Sequence, residues 1–354
     1  MKIYIGTSGW QYYHWKGKFY PEDLPSKDFL KFYSKYFNTV EVNTSFYHFT
    51  KKSTFEKWIK QINTDFERIN TDKNYKRINS DSKRIKTDKD NPHKSVSNPR
   101  KSVNFLFSIK LHRLFTHFRK LKLNKDDKRI LKETIETYKV LGKNLGPILI
   151  QLPPSLKKDL KVLEKFLKCF DYPNRKSNIL PESSDRIKST RIARPNNDVY
   201  PNDNRMNYPN NGPNEIFGKH SGNKFGPNSG SDMIFGGNSG KVFGQDSGNL
   251  KLAIEFRHKS WLDKETYNFL KKKNVAFVIS DSPRWPTDIV KTADFVYIRF
   301  HGKPKIFASK YEKEELQRYA KEIKKLKPKI LFAYFNNDAE GYAIEDALEF
   351  QKLF

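Results

Sequence analysis

The sequence predicts a single (β/α)8 barrel that carries two long low-complexity insertions. Three observations support this. Eight short apolar runs recur along the chain, mostly alternating with segments whose apolar residues have helical spacing. Eight parallel strands is the number that closes a barrel, which favours it over an open doubly wound sheet. The stretches 63–104 and 171–249 lack either periodicity, and both fall between a helix and the next strand. A barrel of this kind places such connections on its stability face, opposite the face that carries sites.

Lys2 to Ile5 forms the first strand, broken by the small-residue turn Gly6-Thr-Ser-Gly-Trp10 and an aromatic loop up to Pro21. Ser26 is positioned to cap a helix marked by Phe29, Leu30, Tyr33, Tyr36 and Phe37. Thr39 to Asn43 is the second strand. Ser53 and Glu56 form a capping-box signature ahead of a stripe of Phe55, Trp58, Ile59 and Ile62. The first insertion, 63–104, holds a degenerate Arg-Ile-Asn-Thr-Asp repeat and too few large apolar residues to offset its ordering entropy, so disorder is expected.

Phe105 to Ile109 is the third strand, and a helix runs from about Asp127 to Leu145. Gly146 to Pro154 contains the fourth strand, and Leu160, Leu163, Phe166, Leu167 and Phe170 mark the next helix. The second insertion, 171–249, repeats Phe-Gly and Ser-Gly units and is also expected to be disordered. Order resumes at Lys251 to Trp261, where the fifth strand, Leu252 to Glu255, is followed by Arg257. Asp263 caps a helix, and Val275 to Ser280 is the sixth strand, ending at Asp281. Phe295 to Phe300, the seventh, ends at His301. A second capping-box signature, Ser309 to Glu312, precedes a helix. Ile330 to Phe335 is the eighth strand, and a last helix closes the chain.

The 354 residues carry a formal charge of +28, which attracts polyanions where it is clustered on one face. The excess is spread along the chain as Lys, alongside Asn and Ile, as a general compositional bias would produce. The lone cysteine, Cys169, excludes an intrachain disulfide and fits a reducing compartment. With no run of eighteen apolar residues and no signal-like start, a cytoplasmic protein without a membrane partner is expected.

Several motifs together resemble the domain of unknown function 72, or YecE-like, family. They are Ile5-Gly-Thr-Ser-Gly-Trp10, Phe19-Tyr-Pro, Thr39-Val-Glu-Val-Asn43 with Ser45-Phe-Tyr47, and Gly146 to Pro154. Glu255-Phe-Arg-His-Lys-Ser-Trp261, Asp294 to Gly302 and Tyr334-Phe-Asn-Asn-Asp338 complete the set. The resemblance runs in order along the chain, interrupted only by the insertions. It implies a single-domain TIM-type barrel and little about chemistry, since the family is essentially uncharacterised.

In such a barrel, chemistry belongs to polar residues at the strand ends. Glu41 and Glu255 are candidate acid/base groups, joined by Asp281 and His301. The competing reading makes them ion-pair partners, Glu255 to Arg257 or Arg299 and Glu41 to Lys110. Arg257, Arg299 and Lys110 could clamp an anion, while Asn43, Gln151, Asn336 and Asn337 offer hydrogen bonds. Trp10, Tyr47 and Trp261 could stack on a ring, or could simply pack in loops. The sequence calls for no cofactor. A divalent metal would have to draw on Glu41, His112, Glu255, Asp281 and His301, which are scattered over several strands without a close-set His pair. The leading expectation is an enzyme of hydrolase, isomerase or lyase type acting on an anionic small molecule or a nucleic-acid fragment. The alternatives are a metal-assisted phosphodiesterase of endonuclease IV type, on fold analogy alone, and a non-enzymatic nucleic-acid-binding protein whose insertions do the binding.

Overall fold

Strands β1 (Lys2–Thr7), β2 (Thr39–Val42), β3 (Leu106–Lys110) and β4 (Leu145–Gln151) occupy the first half of a computed structural model that describes residues 1–71, 104–170 and 250–354. Strands β5 (Leu252–Glu255), β6 (Ala276–Asp281), β7 (Phe295–Phe300) and β8 (Ile330–Phe335) follow. From β2 to β8 each strand pairs in parallel with the next, and β1 pairs in parallel with β8. Between β1 and β2 the ladder thins to a bridge between Ser8 and Glu41 and a 2.8 Å hydrogen bond from Asn38 Nδ2 to the Ile3 carbonyl. The chain is thus a nearly closed TIM-type barrel, as the strand count predicted. Gly6 permits the approach of β1 to β2, because a Cβ there would run into the Thr39 carbonyl oxygen.

Period-2 alternation sorts the strand residues into two cores. Tyr4, Leu149, Ala253, Val278, Tyr297, Phe332 and Tyr334 fill the barrel interior. The opposite parity, including Ile5, Val40, Ile109, Ile150, Ile254, Ile279, Ile298 and Phe335, packs outward in the larger core formed with the helices. The interior is therefore solid through its middle, and polar groups gather only where the strands end.

Among the described residues the α-helices are α1 (Phe29–Tyr33), α2 (Thr44–Tyr47), α3 (Lys52–Thr71), α4 (Lys125–Lys139), α5 (Leu160–Leu167), α6 (Lys264–Lys273), α7 (Lys313–Lys325) and α8 (Tyr342–Gln351). Asp263 caps α6 as expected, accepting from the Thr266 amide at 2.8 Å. The two predicted capping boxes do not form. α3 already begins at Lys52, placing Ser53 inside it, and Glu312 precedes α7 without a side-chain cap, while Ser309 Oγ accepts from the Lys305 amide instead. A reciprocal box forms at Asn124 and Asp127, where α4 starts. Residues 63–71, assigned to the first insertion from sequence, continue α3 as helical backbone. The disorder expected of 72–103 and 171–249, and the nucleic-acid reading of their repeats, lie outside the described residues. Cys169 is buried, and no described helix is long and apolar enough to cross a membrane.

Candidate functional site

Strand parity decides which polar residues meet at the mouth. Glu41, Lys110, Gln151, Glu255, Ser280 and Arg299 share the inward parity of their strands, and all six are buried. Arg299 is at the centre. Its Nε and Nη2 donate to Glu41 Oε2 and Oε1 at 3.0 and 2.8 Å, and its Nη1 donates to Glu255 Oε2. Ser8 Oγ and Tyr297 OH complete the shell of Glu41 at 2.8 and 2.7 Å. On the other side of Glu255, Arg257 Nε donates to Oε1 at 2.8 Å and its Nη2 reaches Gln151 Oε1 at 2.9 Å. The Arg257 guanidinium lies 3.9 Å from the Trp285 ring centroid, and Trp285 Nε1 donates to Ser280 Oγ at 2.8 Å.

Two carboxylates and two guanidiniums form one chain whose formal charges cancel. Burying any of these ions singly would cost several kcal/mol, so the reciprocal pairing is what makes the cluster tolerable. Burial alone would raise the Glu255 pKa, but Arg299 and Arg257 together hold its carboxyl well below the usual carboxylate range. Burial likewise works against the Arg299 charge, and Glu255 and Glu41 more than restore it. Both carboxylates are thus engaged by Arg299, and Glu41 pairs with it and not with Lys110. A carboxyl kept ionised in this way, as Glu255 is, has no proton to give at neutral pH.

His301 lies beside this chain, fully buried, with Nε2 at 3.4 Å from Arg299 Nη1 and 3.9 Å from Glu255 Oε2. Arg299 Nη1 can only donate, and Nδ1 on the other side of the ring lies 3.1 Å from Asn336 Nδ2, also a donor, so both ring nitrogens face N–H groups. Burial and the Arg299 charge push its pKa well below 6.5, keeping the imidazole neutral.

Lys110 differs from its neighbours. Its amine has no hydrogen-bond or ion-pair partner among the described residues and lies 4.0 Å from the Phe46 ring centroid. α2 holds that ring in place, since Ser45 Oγ donates to the Lys110 carbonyl at 2.7 Å and so ties the helix to the end of β3. Burial, with Arg299 and Arg257 nearby, lowers the Lys110 pKa well below its usual value. His117 packs edge-on to the same Phe46 ring at 4.9 Å, its pKa lowered to about 3 by burial and by Lys110. The sequence offered no sign of His117, which sits in a single π-helical turn, Leu114–Phe118, and not at a strand end.

The remaining candidates are elsewhere. Asp281 has the outward parity of β6 and accepts from Tyr311 OH at 2.6 Å and Tyr319 OH at 2.5 Å, with Lys303 paired to it. Asn337 also faces outward, donating to the Ser309 carbonyl and to Asp346 in α8. Asn43 is half-buried, with an Oδ1 that meets no donor. Trp10 packs in the core against Trp58 and Phe107, and Trp261 stacks on Phe256 while donating to the Leu156 carbonyl. Neither is a stacking platform. Tyr47 is 47 % exposed and Phe118 57 %, each 5.3 Å from the Arg113 guanidinium. His112 lies under Phe49 and accepts from the Leu114 amide. Among the described residues no three His, Cys, Asp or Glu side chains gather as a metal ion would require. A surface cleft lined by Pro283, Lys303, Ser309, Glu312 and Tyr342 includes none of the Arg299 network.

A crystal structure of a DUF72 family protein from Thermotoga maritima MSB8 is similar over 100% of this chain and 99% of that chain, with a TM-score of 0.60 and 22% identity. One of a DUF72 family protein from Enterococcus faecalis V583 is similar over 99% of this chain and 94% of that chain, with a TM-score of 0.58 and 16% identity. At those identities the likeness concerns the fold. A comparison with curated proteins gives no match. The family model described as "Protein of unknown function DUF72" matches residues 4–84 and 97–354, from within β1 through β8, and the chain therefore belongs to the DUF72 family.

Proposed function

We propose that the chain is an enzyme whose barrel mouth takes a small anionic molecule, with Lys110 and Arg257 meeting its negative charge. One observation carries this reading: Lys110 is the surplus cation beside a buried cluster that is otherwise neutral. Holding an ammonium there without a counter-ion is unfavourable, and an entering anion supplies that counter-ion. In this reading Lys110 and Arg257 take the anion-binding role expected of them. Arg299, fully engaged by Glu41 and Glu255, acts through the field it sets.

The acid/base role expected of Glu41 and Glu255 is better divided. Both serve as positioning groups that hold Arg299 and Arg257, and proton transfer falls to Lys110 and His301, whose pKa values burial and the neighbouring arginine charges push well below their ordinary ones. Reactions of hydrolase, isomerase or lyase type remain the matching class. A nucleic-acid fragment is the ligand variant favoured by the exposed Tyr47 and Phe118 flanking Arg113, which could stack on a base. A metal-assisted phosphodiesterase lacks such support, since its candidate ligands Glu41 and Glu255 are already occupied by arginine.

Calorimetric titration with inorganic phosphate, oxalate and adenosine monophosphate tests the proposal. Lys110→Met should weaken whichever of these binds by at least about tenfold, or 1.4 kcal/mol. No binding of any anion to the wild type, or equal binding to the variant, would exclude it.

A further inference from the structure

The chemistry of Lys110 extends beyond charge pairing. Four features single it out from the other described lysines: its position at the C-terminal end of β3, its burial to 8 % exposure, the absence of an acidic ion-pair partner among the described residues, and the Phe46 face beneath its amine. Surface lysines such as Lys18, Lys139 and Lys310 are paired with carboxylates. We propose that Lys110 is an amine nucleophile that condenses with the carbonyl group of an anionic aldehyde or ketone, such as a 2-oxo acid, forming an imine. The inference rests on the anion-binding reading above and names its substrate class.

The charged and titratable groups around Lys110 favour the neutral amine. Arg299 and Arg257 disfavour its proton, Glu41 and Glu255 favour it, and burial outweighs both carboxylates, which are already engaged by the guanidiniums. His117, on the same Phe46 ring, contributes no negative charge. An ordinary lysine with a pKa near 10.4 is less than about 0.1 % neutral at pH 7, so a depressed value multiplies the nucleophilic fraction. The substrate's own carboxylate enters the field of Arg257, whose side chain is 15 % exposed at the mouth.

The step balances without any oxidant or reductant. The Lys110 Nζ lone pair adds to the carbonyl carbon while the C=O π pair moves to oxygen. Proton transfer from nitrogen to oxygen gives a carbinolamine. Expulsion of that oxygen as water then leaves a C=N bond, and a solvent proton makes it the iminium. The iminium draws electrons from the adjacent carbon, which suits proton abstraction or carbon–carbon cleavage next to the former carbonyl.

The test uses the full chain at pH 7 with glyoxylate, an anionic aldehyde, and cyanoborohydride, which delivers hydride to a C=N bond and fixes the adduct. Modified lysines are located by peptide mass mapping. Lys110 should be labelled at least about tenfold faster than the median surface lysine, and Lys110→Arg should lose that adduct while the other sites label unchanged. Labelling of Lys110 at or below the surface rate would overturn the imine, even if phosphate or oxalate binds in the calorimetric experiment. If acetaldehyde, which carries no charge, labels Lys110 as selectively as glyoxylate, the anionic substrate class is overturned along with the anion-binding reading.

Discussion

Arg299 grips Glu41 with two of its nitrogens, Nε at 3.0 Å and Nη2 at 2.8 Å, inside a barrel where neither side chain is more than 1 % exposed. Its third nitrogen holds Glu255. One planar guanidinium thereby fixes strands β2 and β5 against β7 and sets the charge balance of the mouth.

Removing that guanidinium should be costly. Arg299→Met leaves Glu41 and Glu255 buried without their principal cation, and loss of one partner from a buried ion pair typically costs about 3–5 kcal/mol. Urea unfolding should show a loss at or above the upper end of that range. A change under 1 kcal/mol would mean that the network contributes little to the fold.

The same network has a pH signature. Glu255 has a folded pKa held below its unfolded value of about 4.3, so the stability it contributes is present above that pH and is lost as pH falls. His301 works in the same direction, because its folded pKa is also depressed and the unfolded ring takes up its proton near 6.5. Acid unfolding should thus begin near pH 6, and Arg299→Met should shift it.

Asp346 has the opposite sign. Burial raises its pKa to about 6, despite hydrogen bonds from Asn337 Nδ2 and the Tyr311 amide. Its contribution is complete below an unfolded pKa of about 3.9 and is lost as pH rises through about 6. Asp346→Asn should therefore gain about 3 kcal/mol relative to wild type between pH 4 and pH 7.5. A stability difference that stays constant over that interval contradicts the assignment.

The aromatic residues separate by exposure. Trp261, 1 % exposed, should cost about 3–5 kcal/mol when replaced by alanine. Tyr47→Ala should stay within about 0.5 kcal/mol of wild-type stability and weaken adenosine monophosphate, if it binds, more than phosphate.

Strand content and order were legible because apolar runs with turn signals are local features. β5, β7 and β8 start and end where the sequence placed them. The pairing of Glu255 with Arg257 was legible too, since two residues on one strand face are neighbours by construction. Asp281 shows what was not. It follows an inward-facing Ser280, so parity turns it toward Tyr311 and Tyr319 although it ends its strand. Trp10 and Trp261 follow turn residues, as loop aromatics do, and only packing shows them in the core. The sequence offers Lys110 as the ion-pair partner of Glu41, whereas Arg299 fills that place, because the choice depends on distances across the barrel. His117 and the uncovered amine of Lys110 arise from loops docking over strand ends, which no periodicity encodes.

The most direct test of this account is the titration of the Lys110 amine by NMR of the full chain, in the absence and presence of phosphate. The account predicts an amine that loses its proton well below the ordinary lysine value of about 10.4 and regains it when the anion binds. An amine that titrates near 10.4 and does not respond to the anion would contradict it.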